Sequence, residues 1–172
     1  GDFVARFKAA WLALGRDLED LPFLGNTRNV FVAESDREAN GSARRAFKVW
    51  YDSLVHLWRA HGMELPSQIF PSDYDEAVGL GYVVAGSPST VRDRMRRDDE
   101  ISGINYSICR FAYGDLAYEE SARSVRLFAR EVMPALEGDG RREPRQAATG
   151  SLVGGLRWVG AESLTDVGFL FR

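Results

Sequence analysis

The chain has 172 residues, 45% hydrophobic and 27% charged, with a net charge of −3, which suits one domain with a sizeable core. The arginines at 92, 94, 96 and 97 are answered at once by Asp98, Asp99 and Glu100, so no long basic surface is left for nucleic acid. No apolar run approaches the roughly 20 residues of a membrane span and no signal peptide opens the sequence, so the expected compartment is the cytoplasm.

Taken in order, Phe3, Phe7, Ala10, Trp11 and Leu14 mark an amphipathic helix that Gly15 can close in a left-handed cap. Residues 16 to 27 read as a loop. Asn29 to Ala33 is a short buried strand, and Ser35 with Glu38 has the spacing of a capping box. From Asp36 the positions Ala39, Ala43, Ala46, Phe47, Trp50, Leu54, Leu57 and Trp58 keep a helical period to about His61, with Arg44, Arg45, Lys48, Asp52 and Arg59 outside. Gly62 to Gly81 then reads as one long loop with two prolines and an acidic cluster at Asp73, Asp75 and Glu76. Loops of this length are uncommon unless functional or disordered. Two readings stay open: a lid or substrate wall bearing Phe70 and Tyr74, or a connector packed on the outside.

Tyr82 to Ala85 is apolar and largely β-branched, and Gly86 breaks it. Ser87 and Pro88 open the next helix, the serine as acceptor for an orphan N–H and the proline at the first helical position. Val91 and Met95 give that helix one apolar side, and Gly103 ends it. Ile104 to Phe111 reads as a strand covered on both faces of a parallel sheet. After Gly114-Asp115, a last helix repeats Ala122, Val125, Phe128, Ala129, Val132 and Leu136 on its inner side. Strands and helices alternate throughout, which implies an α/β fold with a parallel sheet and right-handed crossovers. Residues 137 to 150 read as a disordered linker. Ser151 to Arg172 is an irregular tail, apolar but without a clean period.

The strings Gly86-Ser87-Pro88-Ser89-Thr90-Val91, Gly103-Ile104-Asn105, Phe111-Ala112-Tyr113-Gly114, and Ser124 through Met133-Pro134 together resemble the C-terminal end of the bacterial luciferase-like monooxygenases, which are flavin-dependent (β/α)8 barrels. The resemblance covers roughly residues 1 to 136, and the linker and tail, 137 to 172, fall outside it. It implies that the chain is the C-terminal portion of a barrel, since a whole one takes about 250 residues. Gly1 is not a start methionine, and an upstream part is expected. The implied activity is oxidation of a small organic substrate by reduced FMN and dioxygen, with a flavin reductase as partner and a dimer as the complete protein. Some relatives use a deazaflavin for hydride transfer instead. A competing reading, from another class, is a truncated or non-catalytic barrel subunit that acts by association alone.

By the same resemblance, the strands ending at Ala85 and Phe111 are the last two of the barrel, whose active site lies at the strands' carboxyl ends. Ser87, Ser89 and Thr90 then offer a helix N-terminus to a flavin phosphate, unless they only cap the helix. Arg110 either faces the barrel mouth and holds an anion or lies along the outer wall. Phe111 and Tyr113 are placed to border an isoalloxazine ring or to fill the core. No residue is named as catalytic. His56 and His61 are five apart, not the four that sets two imidazoles on one metal. Neither Gly79-Leu80-Gly81 nor Gly138-Asp139-Gly140 opens a dinucleotide-binding helix, and no serine sits in a nucleophile elbow. Cys109, the lone cysteine, reads as a buried, inert thiol.

Overall fold

The strand Gly25–Val32 (β1) organises everything around it. A computed structural model describes residues 2–64 and 70–137; nearly all of the expected linker and the whole tail lie outside the described residues. Along the chain come α1 (Asp2–Ala13), a short 3-10 turn at Leu18–Asp20, β1, α2 (Asp36–Ala60), α3 (Tyr74–Gly79), β2 (Val83–Gly86), α4 (Pro88–Ser102), β3 (Tyr106–Arg110), α5 (Tyr118–Leu127), a wide π turn (Phe128–Val132) and α6 (Met133–Glu137).

β1 pairs in parallel with β2, from Asn29↔Val83 to Val32↔Gly86, and with β3, from Gly25↔Tyr106 to Asn29↔Arg110. The sheet order is therefore β2-β1-β3. Because side chains alternate across a strand, β1 feeds two cores. Phe31 and Ala33 pack with Ala39, Ala43, Phe47, Tyr51 and Val55 of α2 and with Tyr74 and Ala77 of α3. Val30 and Val32 pack with Val84 of β2, Val91 and Met95 of α4, and Leu127 and Val132 from the last helical segment. Each valine, leucine, methionine or phenylalanine side chain among these, removed from water, contributes about 1.5–3 kcal/mol.

This is an α/β structure with a small parallel sheet, but its order departs from the barrel expectation. A barrel of consecutive β/α units sets β2 between β1 and β3, with helices on the outer face alone. Here β1 is central and helices cover both faces, as in an open, doubly wound sheet. Three strands cannot close on themselves, and from Val30 to Ala33 both faces of β1 are apolar, so each takes its own helical layer. β3 stops pairing at Asn29, and α5 takes over that side of β1: the fully buried Ser124 hydroxyl accepts the Val32 N–H at 2.8 Å.

Several local expectations are corrected. The expected 62–81 loop contains α3, because Asp73 accepts the Glu76 N–H at 2.9 Å and caps a helix there. Phe70 packs against Trp50 and Tyr82, and Tyr74 is buried, so residues 70–81 are packed against the fold. Ser35 caps α2 by accepting the Glu38 N–H, but Glu38 gives its carboxylate to Arg123, which leaves the capping box half made. At α5 the backward half is present instead, Glu120 accepting the Ala117 N–H at 2.9 Å. β1 begins at Gly25, inside the expected loop. β3 is shorter than expected and is not covered on both faces, Tyr106 and Ile108 being 46% and 49% exposed. On α2 the buried stripe runs through Tyr51 and Val55, while Leu57 and Trp58 are exposed. A helix of 25 residues is about 38 Å long and outruns the strands it covers. The last helix widens at Phe128–Val132, where the Met133 N–H reaches Phe128 O. Pro134 follows and has no N–H to continue the regular ladder. Ser124, Leu127 and Val132 are the buried positions there, whereas Val125 and Ala129 face out.

Candidate functional site

Parallel pairing brings the carboxyl ends of β1 and β2 side by side, so the residues that follow them meet. Asp36, the first residue of α2, thereby reaches the start of α4. Its carboxylate accepts the Ser87 N–H at 2.7 Å and the Thr90 hydroxyl at 3.1 Å. The Ser87 hydroxyl accepts the Thr90 N–H, donates to Thr90 Oγ1 at 3.1 Å, and lies 3.2 Å from Ser89 Oγ. Gly86 is required here, since a Cβ would press on Thr90 and on the Asp36 carboxylate. The Ser87 N–H, and after it the Thr90 hydroxyl, hold the Asp36 carboxyl below its ordinary value.

The helix N-terminus expected to take a phosphate therefore already faces an anion, and that anion is Asp36. A phosphate in the same place would lose the donors Asp36 uses and would meet a negative charge at hydrogen-bonding distance. As folded, these residues do not fit a flavin phosphate. Sequence reasoning picked out Ser87, Ser89 and Thr90 but missed Asp36. The usable signal was a carboxylate just past the end of one parallel strand, beside the N-terminus following its neighbour.

Arg110 does not join this cluster. It lies level with Val83 across β1, two strands over and four residues short of Ser87, about 16 Å away by ordinary strand spacings. Its guanidinium sits 5.1 Å over the Trp50 ring of α2, an arrangement that suits a delocalised cation. Asn29 is its register partner on the same face, and neither Asn29 Oδ1 nor Arg110 Nε has a hydrogen-bond partner among the described residues. Tyr113 tucks under α2, where Gly114 at φ +60° lets the chain pass so close that a Cβ would strike Ala46 O. Burial raises the Tyr113 phenol above its ordinary range. It pushes the Tyr74 phenol up to about 12, and that hydroxyl donates to Asn40 at 2.8 Å. Phe111 turns to the opposite side of the sheet, edge-on to Phe128 at 5.0 Å. Phe111 and Tyr113 thus do not border one common ring. Cys109 is half-buried, and burial pushes its thiol up to about 11, which favours the unreactive protonated form.

The outer side of α2 ties this end of the sheet together. Arg45 reaches Asp115 at 3.1 Å and Glu120 at 2.9 Å, so it holds both the loop after β3 and the start of α5. Arg44 pairs with Asp75 of α3 and covers the Tyr74 ring. At the other end of the sheet, Arg28 is 1% exposed and makes 3.3 Å contacts with Asp98 and Asp99. It borders a cleft of about 190 Å³ with Asn26, Gly81 and Ile101. Burial outweighs the nearby Arg28 charge at Asp99 and raises that carboxyl. This cluster lies toward the strands' amino ends, where such contacts serve stability. No helix among the described residues is long and apolar enough to cross a membrane.

No family model matches the sequence. The uncharacterized protein y4wF of Sinorhizobium fredii is 30% identical over 111 residues, 64% of this chain and 32% of that protein. Among solved structures, the monooxygenase RslO1 from Streptomyces bottropensis superposes with a TM-score of 0.56 at 24% identity, over 76% of this chain and 36% of that one. The oxygenating constituent of 3,6-diketocamphane monooxygenase from Pseudomonas putida, a type II Baeyer-Villiger monooxygenase in complex with FMN, gives 0.47 at 26% identity, over 64% and 32%. The chain thus spans about a third of the length of the proteins it matches. Its likeness to RslO1 is one of fold.

Proposed function

We propose that this chain is the C-terminal portion of a luciferase-like, flavin-dependent monooxygenase whose complete form is a (β/α)8 barrel. The observation that carries the reading is where the motif strings fall. Gly86 to Val91 spans the end of β2 and the start of α4, Gly103 to Asn105 leads into β3, Phe111 to Gly114 follows it, and Ser124 to Pro134 lies in the closing helical segment. Strand end, helix, strand end and helix thus come in the family's order, on a fold shared with part of a monooxygenase. The reading requires that β3 exchange its place beside β1 for one beside β2 once the preceding strands are supplied.

Reduced FMN with dioxygen would supply the oxidising chemistry. This chain would contribute carboxyl-end loops that border the mouth, with Arg45 fixing the loop after β3 and Gly114 seating it on α2. For Ser87, Ser89 and Thr90 to take the flavin phosphate, Asp36 must first turn away. Arg110 would serve a different anionic group. The flavin reductase, the dimer and the choice of FMN over a deazaflavin belong to the same proposal.

The test is titration of FMN, followed by flavin fluorescence, against the protein extended upstream to its relatives' length. Saturable quenching at low micromolar FMN is expected. Quenching by a deazaflavin alone would move the protein to hydride transfer, and no response to either would overturn the flavin reading. In the same protein, Asp36→Asn should tighten FMN binding, with inorganic phosphate as competitor. An unchanged affinity would place the phosphate elsewhere.

A further inference from the structure

We draw no further inference here: the strongest candidate, the polar pair between the sheet and α2 where Asn29 Oδ1 and Arg110 Nε lie side by side without a hydrogen-bond partner among the described residues, depends on β3 lying beside β1, the place that the proposed function exchanges for one beside β2.

Discussion

β1 and β3 lie side by side in one sheet and have opposite fates. From Arg28 onward every residue of β1 is buried, whereas no residue of β3 is fully buried. The difference comes from position. β1 has a strand on each edge, helices over both faces, and Ser124 in place of β3 beyond Asn29. Among the described residues β3 has one neighbouring strand, and Tyr106 and Ile108 stay half-exposed. An apolar run therefore states what a strand can bury, and its neighbours decide what it does bury.

The sharpest way to break the comparison is to truncate one side chain on each strand. Phe31→Ala should cost about 3–5 kcal/mol, because it opens a cavity between β1 and α2. Ile108→Ala, measured at concentrations where the chain is monomeric, should cost about 1 kcal/mol. Denaturant melts check both, and equal losses would mean that β3 is as buried as β1. Nearly as large is the effect expected of Arg28→Met. It leaves Asp99 without its buried partner, at about 3 kcal/mol, while Asp98 keeps Arg94 at 2.8 Å. Adding Asp99→Asn should return part of that loss, and a double-mutant cycle with no coupling would dissolve the cluster.

Smaller is Ser124→Ala, which strands the Val32 N–H in the core at about 1–3 kcal/mol. Hydrogen exchange should show Val32 losing protection while Val84 on β2 keeps it. The smallest effect is one of pH. The Asp36 carboxyl is depressed in the folded chain, so its contribution is complete above its unfolded value of about 3.8 and fades as the pH falls through the lower folded value. Asp99 is raised and acts with the opposite sign, since acid relieves a buried charge there. Asp36→Asn should therefore make stability fall less steeply in acid, as thermal melts across that range would show.

Much of the fold was legible in the residues. Ser87-Pro88 starts α4 and Gly103, at φ +67°, ends it. Ser35 starts α2, and the apolar runs mark all three strands. What was hidden depended on partners distant in sequence. Nothing local says that β3 pairs with β1, that Glu38 answers Arg123, or that Tyr51 and not Trp58 faces the core. α3 was hidden for another reason: two prolines made residues 62–81 look like a loop, and the Asp73 cap among other acids looked like a solvated cluster. At the candidate site, Ser87, Ser89 and Thr90 were legible as a helix start. Asp36 was not, because only the parallel register of β1 with β2 delivers it there.

Under the proposed function, this chain would hold only part of a flavin site. The most direct test of that claim is isothermal titration of the isolated 172-residue chain with oxidised and with reduced FMN, beside the same titration of the upstream-extended protein. The isolated chain should bind no more tightly than the high micromolar range, while the extended protein saturates at low micromolar flavin. Stoichiometric low-micromolar binding by the isolated chain, as a monomer, would contradict the claim.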